Sequence, residues 1–370
     1  MSNSVYIRPI ALAGSPQSEE GEAIRLAGGM VYASRFAVIV REGDKVVSRV
    51  RCGVAEMPEV LGALPDELGD EGEAQWANLT LAHPPLELGA RTVRMDQPQV
   101  VGILNVTPDS FSDGGAFMDD PEAMREQAAA MCEGGAAMID IGGESTRPSA
   151  KEVWEGDEIA RVVPAIEAVS AMGAAISIDT RKVGVMEAAL QAGAHVVNDV
   201  SALRHDPRSL AFVADRGVPV ILMHAPGDGP NPHEGGDYAN VVLDVFDALK
   251  ERRDVALEAG IAARNILLDP GIGFGKTLAE NLALINALPL FHALGHPLML
   301  GASRKRMIGA LSNEAPAHER LGGSIALAVK GMEAGYQLLR VHDVTETVQA
   351  RNVWRGLRDA ALTDFGELPT

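Results

Sequence analysis

A set of polar residues recurs through the last two thirds of the chain, each ending or directly following a short apolar run: Asn105, Asp140, Asp179, Asn198, His224, Asp269, Ser303 with Lys305, and Arg340 with His342. One such residue after one apolar run is ordinary helix-capping or turn chemistry. Eight occurrences in succession, 19 to 45 residues apart, call for a common site. Arg340 and His342 are two apart and so share a side of any strand that carries them. No Ser-His-Asp or Cys-His set accompanies these residues, so nothing in the pattern points to a covalent nucleophile.

The segment LLDPGIGFGKT, residues 267 to 277, resembles a phosphate loop without being one. The pattern G-x-x-x-x-G-K-[ST] ending at Gly275, Lys276 and Thr277 has Pro270 in place of its first glycine. A dinucleotide fingerprint starting at Gly271 would put Lys276 where its last glycine belongs. Glycines at this spacing let backbone lie close to a ligand of another kind.

Elements that would carry the polar set follow from periodicity. Apolar runs at 100–104, 137–141, 175–179, 195–199, 218–224, 266–269, 297–301 and 337–342 read as eight strands. Helical segments lie between them, among them PEAMREQAAAMCEGG, opened by Pro121 and closed by Gly134 and Gly135, and VVLDVFDALKERRDVALEAG, closed by Gly260. Continuous apolar strands alternating with helices predict a parallel sheet covered on both faces, as an open doubly wound sheet or a closed α/β (β/α)8 barrel. Polar residues after all eight strands favour the barrel, which brings every strand end to one mouth. Residues 98–364 are assigned to it. Residues 1–97 form an additional N-terminal segment, with a hairpin turning at Glu42, Gly43 and Asp44 and an acidic, helical or mobile stretch after it, and carry no recognisable chemistry.

Bulk composition limits the partners. The chain has 370 residues, 46% hydrophobic and 22% charged, with a formal net charge of −19. Such a balance excludes nucleic acid and anionic membranes as general partners, and any anionic substrate must be met by local Arg and Lys. Cys52 and Cys132 stand far apart with no metal-ligand spacing, and no apolar run of 18 or more residues occurs, so a reducing cytoplasmic location is expected.

From about residue 98 to 360 the chain resembles the dihydropteroate synthase family of folate biosynthesis, through GILNVTPDSFSDGG (102–115), IDIGGESTRP (139–148), SIDT (177–180), VVND (196–199), LLDPGIGFGK (267–276), SRK (303–305) and RVHD (340–343). The resemblance implies a pterin-binding TIM barrel that joins p-aminobenzoate to 6-hydroxymethyl-7,8-dihydropterin diphosphate and releases pyrophosphate. By matched position, Asp179, Asn198 and Asp269 would meet the donor edge of the pterin, with Asp140 and Met223 beside it and Lys305 donating to ring acceptors. Arg340 and His342 would form the diphosphate site, and Asn105 would give a neutral oxygen to Mg2+. Phe111, Ser112 and Asp113, with Thr146, Arg147 and Pro148, would close over the site, and Phe274 would border the aminobenzoate ring with Lys276 near the mouth. The resemblance also implies sulfonamide binding and a homodimer built through LGGSIALAVKGMEAG (321–335). On the same grounds the roles in the reaction itself go to Asn105, Asp113, Arg147, Lys305, Arg340 and His342.

This chain departs from the family in two places. Its fifth loop reads MHAPGDGPNPHEGG where relatives often show Met-His-Met-Gln-Gly, and Arg306 stands where some carry Ser near the aminobenzoate carboxylate. A pterin-dependent methyltransferase barrel would have no use for TPDSFSDGG or ESTRP, and its corrinoid-partner motif D-x-H-x-x-G is absent, Leu222 standing at the Asp position ahead of His224 and Gly227. A non-catalytic pterin-binding paralogue is the remaining alternative, opposed by the intact Asn105, Arg147, Lys305, Arg340 and His342.

Overall fold

A computed structural model describes residues 3–13, 21–107, 121–147, 150, 152–227, 229 and 231–360. The first unit is an antiparallel sheet of β1 (Asn3–Ala13), β2 (Ile24–Arg25), β3 (Tyr32–Glu42) and β4 (Lys45–Gly53), with the long apolar β3 at its centre. The hairpin turns at Gly43 and Asp44, as expected, with Gly43 at φ +55°. The acidic stretch after it is helical: α1 (Met57–Gly62) and α2 (Asp66–Thr80). From α2, Gln75 takes the Ile7 N–H (3.0 Å) and donates to the Val5 carbonyl (2.7 Å), so a side-chain amide protects the outer edge of β1.

This sheet packs on the barrel. Tyr6 sets its ring edge-on to Phe246 at 5.4 Å and donates to Asp247 at 2.7 Å, Arg41 pairs with Asp244 at 2.6 Å, and Asn78 donates to the Ala293 carbonyl. Val5, Phe36, Leu79, Phe246 and Phe291 belong to one continuous core, so water is excluded from the seam and the N-terminal unit has no core of its own.

A short hairpin, β5 (Leu86–Leu88) and β6 (Arg91–Val93), leads into eight βα repeats. They run β7 (Gln99–Asn105), α3 (Pro121–Glu133), β8 (Met138–Gly142), α4 (Glu155–Ser170), β9 (Ile176–Asp179), α5 (Val183–Ala192), β10 (Val196–Asp199), α6 (Ser209–Arg216), β11 (Val220–Met223), α7 (Val241–Glu258), β12 (Ile266–Asp269), α8 (Leu278–Ala287), β13 (Met299–Leu300), α9 (Arg306–Leu311), α10 (Leu321–Glu333), β14 (Leu338–Val341) and α11 (Val344–Ala360). The eight strands are parallel in the order β12-β11-β10-β9-β8-β7-β14-β13, and a bridge between Leu268 and Leu298 joins the two ends. The (β/α)8 barrel expected from the polar pattern therefore forms.

Its floor was not foreseen. Leu86, Leu88, Val93 and Met95 of the β5–β6 region pack against Val101, Met138, Ala175, Val196, Ile221, Leu267, Met299 and Leu338, one side chain from each strand or the residue before it. The bottom of the barrel is thus sealed from the N-terminal side of the expected 97/98 boundary, because an open ring of apolar strand starts must be covered. Among the described residues no helix is long and apolar enough to cross a membrane.

Candidate active site

Parallel register brings the polar residues to one level at the opposite end. Asn105 pairs with Gly142, Gly142 with Asp179, Asp179 with Asn198, and Met223 with Asp269. From β14, Arg340 reaches across the mouth, its Nε donating to Asp140 Oδ2 (2.6 Å) and its Nη2 to Asp179 Oδ2 (2.7 Å). Asp140 also accepts from Ser177 (2.6 Å) and from Asn198 Nδ2 (3.1 Å). That leaves the buried Asn198 Oδ1 accepting no hydrogen bond from the described residues. On β12, Asp269 accepts from the Gly271 N–H (2.7 Å) through Oδ1.

Burial dominates the electrostatics. It pushes Asp179 up to about 7 against the pull of Arg340, and Asp269 up to about 6 against the Gly271 amide and Lys305. It brings Lys305 down to about 8, with Arg340 adding repulsion and Asp269 opposing. His342 is driven down to about 3 by burial and then by Arg304, Arg340, Lys305 and Arg147, so the ring is neutral near pH 7. Ser303 Oγ accepts the His342 backbone N–H (3.2 Å) and lies 3.0 Å from Nδ1. A neutral ring that accepts the Ser303 hydroxyl proton there carries its own proton on Nε2.

The loop after β12 answers to its glycines. Gly271 has φ +66° and a Cβ on it would sit 1.9 Å from the His224 carbonyl; Gly275 has φ +55° and its Cβ would meet Pro226 at 2.3 Å. Only glycine allows this loop to lie backbone to backbone against the loop after β11. Lys276 has its Nζ turned to the carbonyls of Gly271 (2.9 Å) and Phe274 (3.0 Å) and to His224 Nδ1 (3.0 Å), and burial lowers it to about 7. The P-loop reading fails structurally too: this lysine holds the loop that carries it. Phe274 packs with Val200, Met223 and Ala225, and Lys305 Nζ stands 4.2 Å from its ring centre.

These elements enclose a cavity of about 910 Å³. Among the expected site residues, Asn105, Thr146, Arg147, Asp179, Phe274, Lys305, Arg340 and His342 line it. Asn198, Met223 and Asp269 sit at the strand ends around its base, and Asp140 lies beneath, bracing Arg340 and Asn198. Phe111, Ser112, Asp113 and Pro148 fall outside the described residues. Lys276, Arg304, Arg306 and Arg320 also line the cavity, so a chain of net charge −19 gathers seven Lys and Arg residues at this mouth among the described residues alone. Among the lining residues that were not anticipated are Glu144 and His233. Glu144 is buried and pairs with Arg181 (3.1 Å) and Lys182 (3.0 Å), tying the loop after β8 to the loop after β9. His233, from the fifth loop, touches the second loop at Thr146 and the sixth at Gly275.

The profile of the family described as "Pterin binding enzyme" matches residues 101–342. The Bacillus subtilis dihydropteroate synthase is 44% identical over 268 residues, 72% of this chain and 90% of that protein. A "Probable bifunctional folylpolyglutamate synthase/dihydropteroate synthase" of Haloferax volcanii is 47% identical over 71% of this chain, which spans only 31% of that longer relative. A solved Xanthomonas albilineans dihydropteroate synthase in complex with 7,8-dihydropteroate superposes with TM-score 0.66 at 42% identity, covering 77% of this chain and all of that one (100%). With the matched region spanning all eight strands, the chain belongs to the pterin binding enzyme family, among its dihydropteroate synthases.

Proposed function

We infer that the protein joins p-aminobenzoate to 6-hydroxymethyl-7,8-dihydropterin diphosphate, giving 7,8-dihydropteroate and pyrophosphate in folate biosynthesis. The observation that carries this reading is the buried acceptor set: Asn198 Oδ1, with no donor from the described residues, beside the carboxylates of Asp179 and Asp269. Buried acceptors are satisfied in a working complex, and a flat heterocycle presenting a row of N–H donors suits them.

In the reaction the methylene C–O bond breaks with its electron pair going to the departing diphosphate. The electron-rich pterin stabilises the cation, the aniline nitrogen supplies the pair for the new C–N bond, and its excess proton is acidic enough to leave without a dedicated base. Arg340, the Nε2–H of His342, Lys305 and Arg147 offer donors for the charge that grows on the diphosphate. Lys305 and Phe274 form the wall for the flat amine. Of the loops assigned to cover the site, Thr146 and Arg147 line the cavity, while Phe111, Ser112, Asp113 and Pro148 complete the assignment by resemblance.

Mg2+ belongs to this reading with Asn105 as its protein oxygen. Among the described residues no group of three His, Cys, Asp or Glu side chains is placed to hold a metal. One neutral oxygen at the cavity wall fits an ion whose other ligands are diphosphate and water oxygens, and the ion would neutralise charge on the leaving group. A homodimer is proposed through the late helices: Val353 (59%) and Leu357 (72%) of α11 are exposed beside α10. Cytoplasmic placement rests on the two free cysteines.

Pyrophosphate release from purified chain, dependent on both substrates, is the expected result. A chain that binds a pterin yet releases none would be the non-catalytic paralogue instead.

A further inference from the structure

His233 lies in the loop after β11, and its imidazole contacts the loop after β8 and the loop after β12. It stacks on Phe274, with centroids 4.9 Å apart and planes within 8°. Its Nδ1 accepts the Gly275 N–H at 3.3 Å, and its Nε2 lies 2.8 Å from the Thr146 carbonyl. A ring that accepts at Nδ1 and faces a carbonyl at Nε2 is the neutral Nε2–H tautomer, donating to Thr146. Burial, with Lys305 and Lys276 nearby, lowers its proton affinity and keeps it in that form. The contacts are held in register by backbone: a Cβ on Gly236 would stand 2.2 Å from the Gly275 carbonyl.

His233 and Phe274 both line the cavity, with Lys305 over the Phe274 ring. We infer that His233 is a positioning residue for the aromatic amine substrate: one imidazole fixes the Phe274 ring and couples its placement to the loop that carries Thr146 and Arg147. The inference rests on the synthase reading above. The pterin is served by Asp179, Asn198 and Asp269 at the strand ends, none of which His233 touches, so its effect falls on one substrate only. A side chain that merely stapled the loop would disturb both.

Steady-state kinetics of the full chain with each substrate varied in turn separate these cases. His233→Ala is expected to raise KM for p-aminobenzoate about tenfold, a loss of about 1.4 kcal/mol, with KM for the pterin diphosphate and kcat changed less than about twofold. His233→Gln keeps a donor and an acceptor and should recover most of that loss; His233→Phe keeps the stack alone and should recover less. An unchanged KM for p-aminobenzoate, or a parallel rise for both substrates, overturns the inference. If the alanine variant does not fold, the Gln and Phe variants apply the same criterion. An inactive unmodified chain overturns the synthase reading and this inference with it, whereas failure of the inference alone leaves a fully active wild type.

Discussion

The two ends of the barrel are built from the same eight strands and have opposite chemistry. At the floor, Leu86, Leu88, Val93 and Met95 meet a ring of apolar side chains with no polar atom to satisfy. At the mouth, a few residues further along each strand, Arg340 sits between two buried carboxylates and burial shifts Asp179, Asp269, Lys305 and His342 away from their ordinary proton affinities. Desolvated charge costs stability unless it is paired, whereas apolar burial supplies it. The floor therefore carries the mouth, and substitutions at the two ends should separate stability from turnover.

Arg340→Ala should have the largest effect and blur that separation. Turnover should fall about 10²- to 10³-fold from loss of a fixed cation. Because Asp140 and Asp179 would be left buried without their partner, about 3–5 kcal/mol of stability should go with it. The folded-state pKa of Asp179, already pushed up to about 7 by burial, would rise further above the unfolded carboxylate range without Arg340, so the protonated folded form gains as pH falls. The stability deficit should be greatest near pH 8 and shrink towards pH 4, which thermal denaturation across that range measures. A pH-independent deficit would mean that Arg340 does not hold the Asp179 carboxylate ionised.

Leu88→Ala sharpens the comparison from the other end. Leu88 is 2% exposed, and its truncation should cost about 2–5 kcal/mol by denaturant unfolding while kcat per folded molecule stays unchanged. Asn105→Ala should do the reverse: a barrier increase of about 2.7–4 kcal/mol, a higher Mg2+ requirement, and a stability change within about 1 kcal/mol. An unaltered Mg2+ dependence would remove Asn105 from the metal.

Much of the mouth was legible because strand ends announce themselves: an apolar run followed by Asp179, Asn198 or Asp269 is a local pattern, and parallel register then fixes which residues are neighbours. The positive-φ glycines of DPGIGFG were legible for the same reason. What escaped depended on contacts with no local signature. His233 meets Thr146 and Gly275 at sequence separations of 87 and 42, and nothing in PNPHEGG marks that histidine as facing a cavity. The β5–β6 hairpin looked like the tail of a separate segment because its apolar side chains find their partners only once eight strands have closed. The role of Asp140 in bracing Arg340 escaped likewise, because that hydrogen bond spans 200 residues.

The smallest expected effect tests the seam that joins the N-terminal sheet to the barrel. His292, in the 3-10 turn Leu288–Leu294, is fully buried and donates from Nε2 to the Ala334 carbonyl at 2.8 Å, with Nδ1 accepting nothing from the described residues. Burial lowers it to about 4; His296 falls to about 4 through burial and Arg253, and His83 to about 3 through burial and these two histidines. Each folded-state value lies below the unfolded value near 6.5, so the unfolded chain binds more protons between them. Stability is complete above about pH 6.5 and is lost as pH falls towards 4, the opposite sign to the mouth carboxylates. His292 alone should account for roughly 3 kcal/mol over that window. His292→Gln keeps an amide donor for Ala334 but cannot titrate, so it should be slightly less stable than wild type at pH 8 and lose distinctly less on acidification to pH 4.5. Parallel acid-unfolding profiles for the two proteins would show that the seam is not where the barrel yields to acid.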